Sequence, residues 1–215
     1  MNTFGTVAVL GGTGPQGRGL ARRFAAAGVR VVIGSRSADR AAETASRLPG
    51  AVSGGTNTEA AEAGDIVIVA VPWDGHGDLL KELAPSLAGK IVVDCVNPLG
   101  FDKKGAFALL IEDGSAAQQA AALLPDSRVV AAFHHVSAVH LEDEAREQMA
   151  TDVLVLGDDR EATDLVQSLA DAVPGMRGVY GGRLRNAHQI EAFTANLIAI
   201  NKRYKAHAGI RVTDL

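Results

Sequence analysis

Seven residues near the start of the chain, Gly11-Gly12-Thr13-Gly14-Pro15-Gln16-Gly17, have the composition and spacing to hold an anionic ligand. Gly12, Gly14 and Gly17 stand as G-x-G-x-x-G. Glycines in that pattern allow a tight turn, close approach of the backbone to a pyrophosphate, and close packing of a helix on a strand. The run follows the apolar stretch Thr6–Leu10 and opens an Ala/Leu-rich stretch, so it joins a strand to a helix N-terminus. There, unpaired N–H groups and the helix dipole favour a phosphate. A glycine hexamer alone is weak; in this strand–turn–helix context it predicts a dinucleotide-binding loop, with Thr13, Pro15 and Gln16 as further candidate contacts. The alternative is a glycine turn that binds nothing.

The end of the second strand chooses between the two nicotinamide cofactors. Enzymes that use NAD place an acidic residue there for the ribose 2′-hydroxyl. Here the chain reads Val31-Val32-Ile33-Gly34-Ser35-Arg36-Ser37, without a carboxylate. A carboxylate would repel a 2′-phosphate, whereas a serine hydroxyl and a guanidinium would bond it. Arg40, four residues after Arg36, can reach the same anion from the first turn of the next helix. These residues predict NADP(H); ordinary surface charge is the alternative for both arginines. Pro72 and Trp73 in "VAVPWDG", and Asn97 and Pro98 in "CVNPLGF", follow later strands at the carboxyl edge where open α/β sheets bind ligands. They are candidates for the nicotinamide pocket, with simple packing as the other reading of Trp73.

These residues need a frame, and the apolar pattern supplies one. Thr6–Leu10, Arg30–Ile33, Asp65–Val71, Lys90–Asp94, Arg128–Phe133 and Asp152–Leu156 read as strands. Gln16–Ala27, Ala38–Leu48, Gly77–Ala84 and Ser115–Leu123 read as helices between them. Continuous apolar runs such as "DIVIVAV" suit strands buried on both faces, and the alternation predicts a parallel sheet with right-handed crossovers. The fold class is therefore α/β, a Rossmann-type doubly wound parallel sheet with a smaller, mainly helical C-terminal portion. In that portion Glu161–Ala172 reads as a helix, Met176–Tyr180 as a short strand, and Asn186–His207 as a long helix. On the last, Ile190, Phe193, Thr194, Leu197, Ile198 and Asn201 share one face, which we expect to pack on the core or on a second subunit. We divide the chain into an NADP-binding domain, 1–150, and a smaller portion, 151–215.

Bulk properties narrow the function. The chain has 215 residues, nearly half of them apolar, so a large core can form. A net charge of −4 argues against nonspecific nucleic-acid binding. Cys95 is the only cysteine, so neither an intrachain disulfide nor a cysteine-rich metal site is expected. No segment reads as a secretory signal or membrane span, which predicts a soluble cytoplasmic protein with no membrane partner. The Tyr-x-x-x-Lys pair of short-chain dehydrogenases is missing: Ala208 stands four places after Tyr204, and Leu184 four after Tyr180. Adjacent His134 and His135 on a strand would face opposite ways and could not easily share a metal; no metal site is predicted.

The segments "VAVLGGTGPQGRGLA", "VVIGSR", "VAVPWDG", "RVVAAFHHVSA", "LGDD", "RLRNAHQIEAFTANLI" and "NKRYKAHAGIR", in this order from near residue 6 to the C-terminus, resemble the NADPH-dependent coenzyme F420 reductase family, particularly its actinobacterial members. The resemblance implies reversible hydride transfer between NADPH and the 8-hydroxy-5-deazaflavin of coenzyme F420 as second substrate. It also implies a homodimer with the deazaflavin in a cleft between the two portions of the chain. By position, Thr13, Ser35, Arg36 and Arg40 match the family's NADP-holding residues, and Asn97, Pro98, His134 and Val136 fall where it places the two rings. Two departures stand out: His135 replaces Asn or Thr, and "YGGRLRN" replaces "DAGPLRN", with Arg183 for Pro.

Such chemistry needs no nucleophile, metal or covalent intermediate, since the cofactors supply it and the protein aligns two rings. His134 is the candidate for a ring-orienting hydrogen bond, and a core histidine bonded to backbone is the other reading. His135 and Ser137 are weaker candidates. For the anionic tail of F420, Lys202, Arg203 and Lys205 with Arg183 and Arg185 are the best basic cluster. Two other functions remain open: an NADP-dependent carbonyl, imine or flavin reductase, and a non-enzymatic NADP-sensing module.

Overall fold

Alternate residues of each apolar run enter opposite faces of one sheet. In β1 (Thr6–Leu10), Val7 and Val9 join one core while Ala8 and Leu10 join the other. The same alternation separates Ile66 and Ile68 from Val67 and Val69 in β4 (Ile66–Val69), and Val93 from Val92 in β5 (Ile91–Asp94). Burial on both faces is why these strands lack an apolar/polar rhythm.

The computed structural model describes residues 4–215. Around these strands the order continues with α1 (Pro15–Ala26), β2 (Arg30–Ser35), α2 (Ala38–Ala45), β3 (Val52–Thr56), α3 (Asn57–Ala63) and α4 (His76–Leu87). After β5 come a hairpin of β6 (Leu99–Asp102) and β7 (Gly105–Ala108), then α5 (Ala116–Leu123), β8 (Arg128–Ala131) and α6 (Ala138–Glu142). The chain ends with β9 (Thr151–Gly157), α7 (Arg160–Asp171), β10 (Met176–Gly182), a 3-10 turn at Leu184–Asn186 and α8 (Ala187–Tyr204).

The sheet order is β3-β2-β1-β4-β5-β8-β9-β10. The first six are parallel and doubly wound about β1 and β4, as the sequence predicts. Side chains of α1, α2 and α7 fill one core; those of α3, α4 and α5 fill the other. β9 departs from the parallel expectation: it lies antiparallel to β8, with β10 parallel to β9. Only Leu156 and Gly157 of β9 pair with β8, so most of β9 projects past the carboxyl edge of the sheet. That projection raises a wall beside the ligand edge.

The strand expected over Arg128–Phe133 stops at Ala131, because Phe133 takes a left-handed φ of 64° that a ladder cannot continue. Its ring meets Phe24 edge-on, with centroids 5.7 Å apart. Four elements were not expected from pattern: β3, α3, the hairpin and α6. Among the described residues no helix is long and apolar enough to cross a membrane, and no three His, Cys, Asp or Glu side chains are grouped to hold a metal ion.

Candidate functional site

The glycine loop owes its shape to close contacts. A Cβ on Gly12 would lie 2.5 Å from the Ile33 Cβ, and one on Gly17 2.7 Å from the Gly11 carbonyl. Both glycines are buried and pack α1 onto β1 and β2. At Gly14 a Cβ would meet only the Gly11 carbonyl, at 3.4 Å, so this position faces open space. Gly14 is the N-cap of α1 and offers no capping side chain, and Pro15 follows at the first helical position. The first-turn N–H groups of α1 are therefore available to an anion.

That open space is a cavity of about 570 Å³ lined by Gly11, Thr13, Gly14, Ser35, Arg36 and Arg40 among others. Ser35 is nearly buried, and its Oγ accepts a 3.4 Å hydrogen bond from the Ser37 N–H. Ser37 caps α2 by accepting the Arg40 N–H, which sets Arg40 in the first turn beside Arg36. Neither guanidinium is paired with a carboxylate among the described residues. Asn57, at the start of α3, lines the same cavity, and its buried Oδ1 has no partner among the described residues. Sequence reading missed it, since β3 and α3 were themselves unread.

A second cavity, about 410 Å³, shares Ala70, Val71 and Pro72 with the first, so the two form one continuous trough. Gln16, Trp73, Asn97, His134 and Val136 line it, as do His135 and Ser137. Pro98 does not; it is buried, and its carbonyl accepts the Leu109 N–H. Pro15 is exposed and lines neither cavity, and Gly12 and Gly17 act beneath the loop. The Gln16 amide donates to the Phe133 carbonyl at 3.2 Å, and the Asn97 amide to the His134 carbonyl at 2.9 Å.

Because the chain leaves the sheet before Phe133, His134 and His135 both border this cavity instead of facing opposite ways. Burial pulls the His134 imidazole down to about 4, with Asp94 and nearby carbonyls offsetting only part of it. Burial, then the adjacent His134, brings His135 to about 4 as well. Both rings are neutral at pH 7. His135 accepts the Leu154 N–H of β9 at Nε2, so its proton is on Nδ1. Both nitrogens of His134 are shielded from solvent and have no hydrogen-bond partner among the described residues. Cys95 also borders the cavity, but burial pushes its thiol up and its Sγ donates to the Val69 carbonyl.

The far wall is α8. Thr194, Leu197, Ile198 and Asn201 line the cavity, so much of the predicted stripe faces a ligand space and not solely the core or a partner. Thr194 donates to the His134 carbonyl at 3.3 Å, tying α8 to the β8 segment. His207 and Ala208 complete the wall. The buried Asp152 carboxylate, held down to about 2 first by Arg177 and also by Arg211 and the Val212 N–H, anchors the segment beyond them. On the opposite side, Arg23 donates to the carbonyls of His140, Leu141, Asp143 and Arg146 and so pins α6 to α1. A cluster behind the cavity, the buried His76, Asp94 and Glu191 with the half-buried Gln119, was also missed; its members are remote in sequence and form no motif.

The basic cluster divides. Lys202 and Arg203 line a cavity with Lys104 of the hairpin, and it shares Ile198 with the second cavity. Arg183 instead borders a separate cavity, with its guanidinium 3.6 Å from Asp158.

The family described as NADP oxidoreductase, coenzyme F420-dependent, matches residues 6–98. Over 97% of its length the chain is 41% identical to the F420-dependent NADP reductase of Methanothermobacter marburgensis, covering 98% of that protein. It is 38% identical to the F420-dependent NADP reductase of Methanocaldococcus jannaschii, again over 97% of this chain and 98% of the relative. Among solved structures, a protein from Arthrobacter sp. FB24 shares the fold with a TM-score of 0.83 at 24% identity, over 96% of this chain and 98% of that one. Full-length identity at this level, together with the glycine loop and the two-cavity trough, makes this chain a member of the coenzyme F420-dependent NADP oxidoreductase family.

Proposed function

We propose that this protein transfers a hydride reversibly between NADP(H) and the 8-hydroxy-5-deazaflavin of coenzyme F420. The observation that carries the proposal is the continuous trough: the cavity at the glycine loop runs past Ala70–Pro72 into the second cavity, and we read the first as the phosphate site and the second as the ring site. The first half fits NADP, because Gly14 leaves room for a pyrophosphate at an uncapped helix end, and Ser35, Arg36 and Arg40 suit a 2′-phosphate. When both are bound, the nicotinamide and the deazaflavin supply the hydride donor and acceptor carbons.

The protein's own part is alignment and exclusion of water. Pro72, Trp73, Asn97 and Val136 form the walls on the Rossmann side, and α8 forms the wall opposite. His134 and His135, being neutral, place no positive charge beside an oxidised nicotinamide. His134 borders the second cavity, and its two shielded ring nitrogens, neither with a hydrogen-bond partner among the described residues, support a ring-orienting role for it. Lys202, Arg203 and Lys104 suit the anionic tail of F420. Residues 151–215 complete the deazaflavin cleft in this reading, and the enzyme acts as a cytoplasmic homodimer.

Anaerobic mixing of the protein with NADPH and F420 tests the proposal: the visible absorbance of the deazaflavin is lost. With C4-deuterated NADPH of the transferable face in ordinary water, deuterium appears at deazaflavin C5. Label drawn from solvent would refute direct transfer. Turnover of a carbonyl or imine with none of F420 would replace this reading.

A further inference from the structure

Trp73 follows β4, while Val96 and Asn97 follow the adjacent β5, and these two corners border the ring cavity. Behind them lies a buried polar pair that hydride transfer does not itself require. His76 Nε2 is 2.6 Å from Asp94 Oδ2, and both side chains are fully shielded from solvent. His76 Nδ1 is 3.2 Å from Gln119 Oε1, and Gln119 donates its amide to Asp113 at 3.0 Å, which turns its oxygen toward the imidazole.

With an acceptor at each ring nitrogen, the imidazole carries two protons. Burial is the largest single influence and opposes that charge, but Asp94, Gln119 and Glu191 of α8 together outweigh it. The imidazolium lies against the Trp73 indole, with ring centroids 5.5 Å apart and planes tilted by 30°. Its backbone N–H closes a turn onto the Trp73 carbonyl at 3.1 Å. The other Asp94 oxygen accepts the Val96 N–H at 2.9 Å. Asn97, the next residue, holds the His134 carbonyl and meets Thr194 of α8 at 3.3 Å.

A buried ion pair is a costly way to fill a core, since apolar residues of equal volume are often as stable or more so. This one sits where the chain turns off two neighbouring strands, so it sets the spacing of the walls. We propose that His76 and Asp94 are positioning residues: as a charged pair they lock Trp73 and the Val96–Asn97 corner at the separation the two rings need. The inference rests on the ring-cavity reading given above.

Trp73 is the only tryptophan, so its emission reports on the pair with no ligand present. A protonated imidazole against an indole quenches it. His76→Gln, which keeps a donor for Asp94 but removes the charge, should brighten Trp73 emission and cut kcat about 10–100-fold through misplacement of the rings. The KM for NADPH should stay within about threefold, because the phosphate cavity is untouched. The isotope effect on kcat with C4-deuterated NADPH should rise as hydride transfer becomes limiting.

Unchanged emission in folded His76→Gln, or full kcat, would overturn the inference; so would a loss of kcat that follows loss of folded protein alone. If that variant does not fold, Gln119→Leu removes the second acceptor, together with the amide bond to the exposed Asp113, from a half-buried site. Emission should then recover at a lower pH than in the unaltered protein, and an identical pH profile overturns the inference. Should the unaltered protein reduce no deazaflavin, the ring-cavity reading fails, while the emission still decides whether the pair is charged and stacked on Trp73.

Discussion

At Gly12 and Gly14 one added methyl group meets two different environments. Gly12→Ala drives a Cβ against Ile33 and the Val9 carbonyl, 2.9 Å away, a clash of the overpacking kind that costs about 1–3 kcal/mol. Its melting temperature should fall. Gly14→Ala meets nothing closer than 3.4 Å and should melt near the unaltered protein, yet bind NADPH weakly because the methyl occupies the pyrophosphate's space. Thermal denaturation and NADPH titration separate the two, and a Gly14→Ala protein with normal affinity would remove the pyrophosphate from this position. Ser35→Ala and Arg36→Ala should each raise the KM for NADPH about 10–150-fold, the worth of a charge-assisted hydrogen bond of about 1.5–3 kcal/mol. NADH, with no 2′-phosphate, should be little affected, and equal losses with both cofactors would count against the assignment. These residues were legible in sequence because their geometry is local: a loop, a strand end and the next helix turn. Asn57 and Asp94 were not, since Asn57 reaches the trough, and Asp94 the cluster behind it, from segments whose place depends on the whole sheet.

At the scale of elements, periodicity identified α8 but left open what it faces. Thr194, Leu197, Ile198 and Asn201 line the ring cavity, whereas Phe193 and Ile200, on the adjoining face, are each 38% exposed. Apolar side chains so exposed on a helix suit a protein partner, and our dimer proposal places a second copy there. Phe193→Asp should then shift sedimentation toward monomer, with the ring cavity left intact. A dimer of normal stability would rule this face out. β3 escaped the pattern because "VSGGT" has no apolar run. Gly54 is required where a Cβ would strike the Ala41 backbone at 2.3 Å as α2 crosses. The hairpin has a local signal in its turn: Asp102 accepts the N–H groups of Lys104 and Gly105, as Asp-Lys-Lys-Gly allows. The break at Phe133 had no local signal, since a left-handed aromatic residue is set by its packing on Phe24.

Across the whole molecule, the ionisable groups taken out of water lie mainly around the carboxyl edge of the sheet, and they set its response to acid. His134 and His135 sit at about 4, against about 6.5 when unfolded. The unfolded chain takes these protons first, so their burial is compatible with full stability above about pH 6.5 and costs stability as pH falls. Each removes about 2 kcal/mol between pH 6.5 and 4.5. Glu191 has the opposite sign: burial raises it to about 7, from 4.5, so the folded state takes its proton first and gains about 2 kcal/mol over the same interval. His76, held above its ordinary value, contributes fully below about pH 6.5 and changes nothing there. Asp152, held at about 2, loses its contribution only below its unfolded value of 3.8. The two histidines therefore outweigh the glutamate, and stability should drop by about 2 kcal/mol from pH 6.5 to 4.5. Urea unfolding at the two pH values measures it. Glu191→Gln removes the compensating group and should roughly double the drop, whereas His135→Gln should nearly abolish it. A Glu191→Gln protein with the same acid sensitivity as its parent would show that this carboxyl is already ionised in the fold at pH 6.5.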